Sequence, residues 1–174
     1  MKKKLRAGFT FAETLITVLL MSIVFTAISG GFIVFQRVYS DVTRKANAQV
    51  MLSTAIMEIT NDLKGAETYY TQGNAFYTTS RGYAIRYVGY TQDSKLTAVS
   101  AAPYLDSSLQ SIPLLTSKTN TDGMFADVAS LSYNSTKNIF TFTVDIRLVN
   151  SPDTIIESQD LIVRPNQDSL DVEN

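Results

Sequence analysis

Gly8, Phe9 and Glu13 are the residues whose types and spacing could do chemistry together. Glu13 is the one acid in an apolar run from Gly8 to Phe35, GFTFAETLITVLLMSIVFTAISGGFIVF, and no charge follows it before Arg37. An ionised carboxylate placed deep in a membrane costs roughly 2.5 to 3.5 kcal/mol or more, so it needs a cation. A cut after Gly8 would supply one, a protonated α-amine on Phe9, four residues before Glu13 and ~6 Å away along a helix axis. The amine that answers Glu13 is either its own or that of a neighbouring copy displaced along the axis. The second option turns a buried charge into a contact that sets the register between subunits. A carboxylate in the first turn also suits the positive end of the helix dipole.

These residues need an element to hold them. From Thr14 to Gln36 the chain carries no charge, and as a helix this stretch would cover ~30 Å or slightly more, the thickness of a bilayer's hydrocarbon core. Lys2, Lys3, Lys4 and Arg6 stand immediately before it. The positive-inside tendency leaves that end in the cytoplasm and sends everything after Phe35 across the membrane.

With those residues in view, the N-terminus resembles that of type IV pilins and of the pseudopilins of type II secretion and competence systems. The shared features are a short basic leader, Gly8 as its last residue, Phe9 as the first mature residue, Glu13 at the fifth mature position, and an apolar helix after it. The resemblance covers about the first 30 residues and implies a division of the chain. Residues 1–8 are the leader, and 9–36 form a transmembrane helix that becomes filament core. It further implies cleavage after Gly8 by a membrane-embedded prepilin peptidase, N-methylation of Phe9, and an assembly contact made by Glu13. The implied partners are that peptidase, other pilin or pseudopilin subunits, and an assembly platform in the cytoplasmic membrane.

Two other processing routes compete. A secretory signal peptide would use Ala27-Ile28-Ser29 as its small-x-small site, leaving Gly30 as the first residue, but Glu13 would interrupt its apolar core. An uncleaved anchor explains the basic flank and the span but not the Gly8-Phe9-Glu13 spacing. A lipoprotein is excluded, because the chain has no cysteine.

Composition narrows the function classes. Without cysteine or histidine there is no disulfide, no thiolate nucleophile, no Cys-ligated zinc, and neither the commonest general base nor the commonest metal ligand. Many pilins of diderm bacteria carry a C-terminal disulfide, and this chain departs from that pattern. Four of the 15 basic residues lie in the leader, which leaves 11 against 16 acids, about −5 in the mature chain. That balance gives no general attraction to nucleic acid. No GxSxG, Walker or HExxH pattern occurs, so the chain is expected to be no enzyme and to hold no cofactor. Asn120, Asp122 and Asp127 could offer oxygen to calcium, but their spacing is not that of an EF-hand and Asp122-Gly123 is more simply a turn. No metal site is expected.

The helix is expected to continue beyond the membrane. Leu52, Ile56, Ile59, Leu63 and Ala66 recur at steps of four and three, while Arg44, Lys45, Glu58, Asp62 and Lys64 take other positions. Residues 37–66 thus read as an amphipathic half that packs on a domain, with Gly65 as the stop. Unbroken from Phe9 to Lys64, this helix would be on the order of 84 Å long. Gly30-Gly31 weakens it, since glycine costs about 1 kcal/mol against alanine. Many major pilins have a helix-breaking proline near that point, and the glycines either play that part or admit a neighbouring helix closely.

Beyond the helix, strand and turn signals take over, giving a β-rich domain over 67–165. Glu67–Thr71 and Ala75–Thr79 flank a turn at Gln72-Gly73-Asn74, and Tyr83–Val88 alternates as a strand. The tyrosines here (Tyr69, Tyr70, Tyr77, Tyr83, Tyr87 and Tyr90) read as cross-strand partners with wet tips rather than as a sugar- or peptide-binding face. Residues 91–123 read as a long loop with one helical turn near Leu105 to Leu109. Ile139 to Leu148 alternates, with Phe140, Phe142, Val144, Ile146 and Leu148 on one face and Thr141, Thr143, Asp145 and Arg147 on the other. Val128–Tyr133 and Thr154–Val163 complete a meander with it through Asn134–Asn138 and Asn150-Ser151-Pro152-Asp153. Asn134-Ser135-Thr136 is read as a polar hairpin turn rather than a glycosylation acceptor. The acidic tail 166–174 is expected to be disordered.

The expected fold is therefore α+β and pilin-like, a long N-terminal helix packed on an antiparallel meander. Its run of elements is similar to that of the J-type minor pseudopilins, which favours a minor over a major subunit. The expected location is the cytoplasmic membrane, single-pass with the N-terminus inside, and then a cell-surface or periplasmic filament. The alternative from another class is a monomeric membrane-anchored extracytoplasmic binding domain.

Overall fold

The structure is a computed structural model that describes residues 10–89, 99–106, 108–115 and 123–173. Gly8, Phe9 and the leader lie outside the described residues, as do Asn120 and Asp122. Among the described residues one helix, α1 (Phe11–Lys64), is followed by nine strands. These are β1 (Ala66–Tyr70), β2 (Ala75–Thr78), β3 (Tyr83–Val88), β4 (Ser100–Pro103), β5 (Ile112–Pro113), β6 (Met124–Asn134), β7 (Ile139–Leu148), β8 (Ser151–Val163) and β9 (Asp171–Glu173). The fold class is α+β, a single long N-terminal helix with sheets that are largely antiparallel. Two units result, Met1–Thr43 and Arg44–Asn174.

In the first unit α1 is apolar all round. Every large apolar side chain from Leu15 to Phe35 is more than half exposed, so no stripe is reserved for a core. The helix runs unbroken through Gly30 and Gly31, and a Cβ added at either would meet nothing within 4 Å.

In the second unit, the apolar steps of α1 become a buried face: Ala48, Met51, Leu52, Ala55, Ile59 and Leu63. They share one core with both sheets, whose orders are β5-β4-β3-β2-β1-β9 and β6-β7-β8. Phe140 of β7 is the meeting point. Its ring lies 5.9 Å from those of Tyr69 and Phe76 in the first sheet and 4.8 Å from that of Tyr133 in its own. Aromatic pairs at such separations contribute about 0.5–1.5 kcal/mol beyond the area they bury. Tyr69 and Tyr87 are thus core partners, while Tyr70 leans on Tyr104 at 5.5 Å. Helix α1 ends at Lys64, where the Gly65 N–H still reaches Asn61 O at 3.3 Å. The space there is tight, because a Cβ at Gly65 would stand 3.0 Å from Thr78 Oγ1 and that hydroxyl would have to give way.

Several expectations are corrected. The tail 166–174 is not disordered over its described residues. Leu170 is buried, β9 pairs in parallel with β1, and Thr71 N–H donates to Glu173 O at 2.9 Å. An apolar residue at Leu170 gives that segment an anchor that its acidic composition conceals. The loop 91–123 contains β4 and β5, and β4 pairs with β3 from Ile85↔Pro103 to Val88↔Ser100. Around Leu105 to Leu109 the described residues close a single turn, in which the Leu109 N–H donates to Asp106 O at 3.3 Å. The Asp106 side chain also accepts the Ser108 N–H at 2.9 Å, an Asx turn. Strands β6 and β8 are longer than expected at their N-terminal ends.

Two acids placed on solvent faces are buried. Asp62 is 6% exposed and Asp145 is 3% exposed, and each is held by an arginine. Arg81 clamps Asp62 with Nε–Oδ1 at 3.1 Å and Nη2–Oδ2 at 2.8 Å, and the Tyr87 hydroxyl donates to the same Oδ2 at 3.1 Å. Burial, followed by the Asp62 charge and hydrogen bond, holds the Tyr87 phenol well above its usual range. Asp145 accepts Arg147 Nη2 and Ser158 Oγ, both at 2.6 Å. Asp127, weighed above as a calcium ligand, lies across the ladder from Asp145, and Arg147 Nε stands 3.5 Å from its Oδ2. Desolvation raises the Asp127 pKa and Arg147 opposes that shift. The chain passes so close to Asp127 at Gly89 that there is no room for a Cβ.

Candidate functional site, the first turns of the apolar helix

Glu13 sits in the first turn of α1, and its carboxylate is already engaged within the chain. Its Oε2 accepts the Thr10 N–H at 2.8 Å and the Thr10 hydroxyl at 3.1 Å, while the Glu13 N–H donates to Thr10 Oγ1 at 3.3 Å. This reciprocal pattern is a capping box, in which residues Ncap and N3 satisfy two of the helix's orphan donors. Thr10 is the functional residue that sequence reasoning passed over. The signal was present as Thr-x-x-Glu directly before an apolar run.

The cap changes what Glu13 asks for. Both contacts fall on Oε2, and among the described residues Oε1 has no hydrogen bond. One oxygen thus fixes the helix start, and the other stands on an exposed residue with no hydrogen bond from the described part of the chain.

Above this turn, every hydroxyl for which a bond is resolved on the apolar stretch is satisfied by the helix itself. Thr14 donates to Phe11 O at 2.8 Å, Thr17 to Glu13 O at 2.7 Å, Ser22 to Leu19 O at 2.7 Å, and Thr26 to Ser22 O at 2.8 Å. Such back-bonding lets hydroxyl residues enter hydrocarbon without an orphan donor. Among the described residues α1 is the one helix long and apolar enough to cross a membrane, and none of its most apolar window is buried within the chain. No group of three or more metal-binding side chains occurs among the described residues.

Of the residues singled out in the sequence, Glu13 is placed at the start of α1, and Gly30 and Gly31 lie well above it in the same helix. Gly8 and Phe9, which would complete the constellation, lie outside the described residues. The chain matches no protein-family model, no curated protein and no solved structure. The candidate site is therefore defined by its own geometry, a capped apolar helix of membrane-crossing length whose acid keeps one oxygen without a hydrogen bond among the described residues.

Proposed function

We propose that this chain is a minor type IV pilin or pseudopilin, a structural rather than catalytic subunit of a pilus, secretion or competence filament. Made as a prepilin, it is cut between Gly8 and Phe9 by prepilin peptidase and methylated on the Phe9 amine. It waits in the cytoplasmic membrane by α1 until an assembly platform draws it into a filament, where the apolar segments of neighbouring subunits bundle. Glu13 Oε1 accepts the Phe9 ammonium of a neighbour. The open space around Gly30 and Gly31 admits a neighbouring helix backbone.

The observation that carries this reading is the pairing of two features that otherwise conflict. The helix is apolar on every side with none of its most apolar window buried in its own chain, yet it keeps an acid whose second oxygen has no partner among the described residues. A bundle of like helices offset along the axis meets both needs. A plain anchor would leave Glu13 to the cap alone.

Shearing filaments from cells and probing them for this chain tests the proposal. The chain should sediment with the filaments at sub-stoichiometric level, and that signal should vanish when prepilin peptidase is absent. A chain that stays wholly in the membrane fraction in both strains contradicts it.

A further inference from the structure

A concave feature on the folded unit lies away from α1's apolar stretch. It is a groove of about 390 Å³ between the β6–β7 turn, residues 135–138, and the segment 164–168 that follows β8. Its volume falls within the range of small-ligand sites. Of its lining residues only Pro165 lacks a polar side chain, which excludes an apolar ligand and gives no aromatic ring for a base to stack on.

Both walls are pinned. On one, Asn134 Oδ1 accepts the Lys137 N–H at 3.0 Å, and Asn138 takes a φ of 51°. On the other, the Asn166 N–H donates to Lys64 O at 2.9 Å, and Leu170 is buried just beyond. Asn138 ties them together. Its Oδ1 accepts the Tyr133 hydroxyl at 2.7 Å and its Nδ2 donates to Gln167 O at 2.6 Å. A groove held in this way needs little ordering when it is filled.

The charges give the ligand its sign. Lys137 on one wall and Arg164 on the other share the lining with one carboxylate, Asp168, and among the described residues neither cation has an ion pair. This local excess of positive charge stands on a chain that is acidic overall. The amides and hydroxyls around it suit a ligand with many hydroxyl groups. We infer that the groove binds an acidic saccharide, with Lys137 and Arg164 holding its carboxylate or phosphate group and the amide and hydroxyl side chains holding its ring hydroxyls. Charge-assisted hydrogen bonds of this kind are about twice as strong as neutral ones.

The test is calorimetric titration of the full chain in zwitterionic micelles with four probes: oligogalacturonate, glucose 6-phosphate, neutral maltohexaose and polyglutamate. Binding of oligogalacturonate or glucose 6-phosphate is expected, and whichever binds identifies the acid group. That binding should weaken at least tenfold in the Lys137→Gln/Arg164→Gln double variant and be unchanged in Arg86→Gln, which removes an exposed cation elsewhere on the unit. An unchanged melting temperature shows that the double variant is folded. Equal binding of maltohexaose or polyglutamate, equal loss in Arg86→Gln, or no binding of either acidic sugar overturns the inference.

Discussion

Glu13→Gln should be made with its cap intact and still fail to enter filaments. Glutamine is accepted at N3 of a capping box, so its side-chain oxygen can take over from Glu13 Oε2 in receiving the Thr10 N–H. What is lost is the charge. If the remaining oxygen answers a neighbour's ammonium, the incorporated fraction falls at least about tenfold, equivalent to ~1.4 kcal/mol per contact. Glu13→Ala removes the cap as well and should incorporate no better. Leader cleavage and the folded unit should be unaffected in both variants. The comparison separates two roles that a single alanine substitution confounds. Normal incorporation of Glu13→Gln beside defective Glu13→Ala would reduce Glu13 to a capping residue and remove its part in assembly.

The second large effect concerns stability. Asp62 is the anion that ties the last turns of α1 to the β2–β3 hairpin through Arg81 and to β3 through Tyr87. Breaking a buried pair by removing one partner costs about 3–5 kcal/mol, because the other charge is left uncompensated. Arg81 keeps 20% of its side chain exposed, so water recovers part of that loss, and about 3 kcal/mol is expected for Asp62→Ala. Against a typical domain stability of about 5–15 kcal/mol this is severe. Asp62→Asn keeps an acceptor for Tyr87 and should lose less. Urea unfolding of the full chain in micelles, followed by the near-ultraviolet signal of its tyrosines, measures both variants. A loss under about 1 kcal/mol for Asp62→Ala would mean that the Arg81 clamp is a surface pair of the weak kind.

The same two acids show what the sequence could carry. Ile139 to Leu148 was legible because a strand with one buried face alternates over its whole length, and Phe140, Phe142, Val144 and Ile146 are all buried. The helix and its stop near Gly65 were legible for the same reason, a period sustained over many residues. Asp62 was not. It lies three residues after Ile59, on the buried face, and only Arg81 and Tyr87 make burying it tolerable. Nothing within α1 announces them. Asp145 depends likewise on Arg147 and on Ser158 of the next strand. Strand β9 has three residues, and its partner β1 lies about 100 positions earlier, a pairing with no local signature. The groove beside Lys137 and Arg164 joins a hairpin turn to a segment read as tail, so neither half suggests it alone. The capping box is legible in the sequence, as Thr10 and Glu13 three residues apart directly before an apolar run.

The mature N-terminus is the measurement that bears most directly on the pilin proposal. Purified from its own cells and read by Edman degradation with intact mass, the chain should begin at Phe9 and carry one added methyl group on the amine. A chain that begins at Gly30, or one that keeps Lys2 to Gly8, would contradict the proposal, because neither leaves an amine on Phe9 for Glu13 to meet.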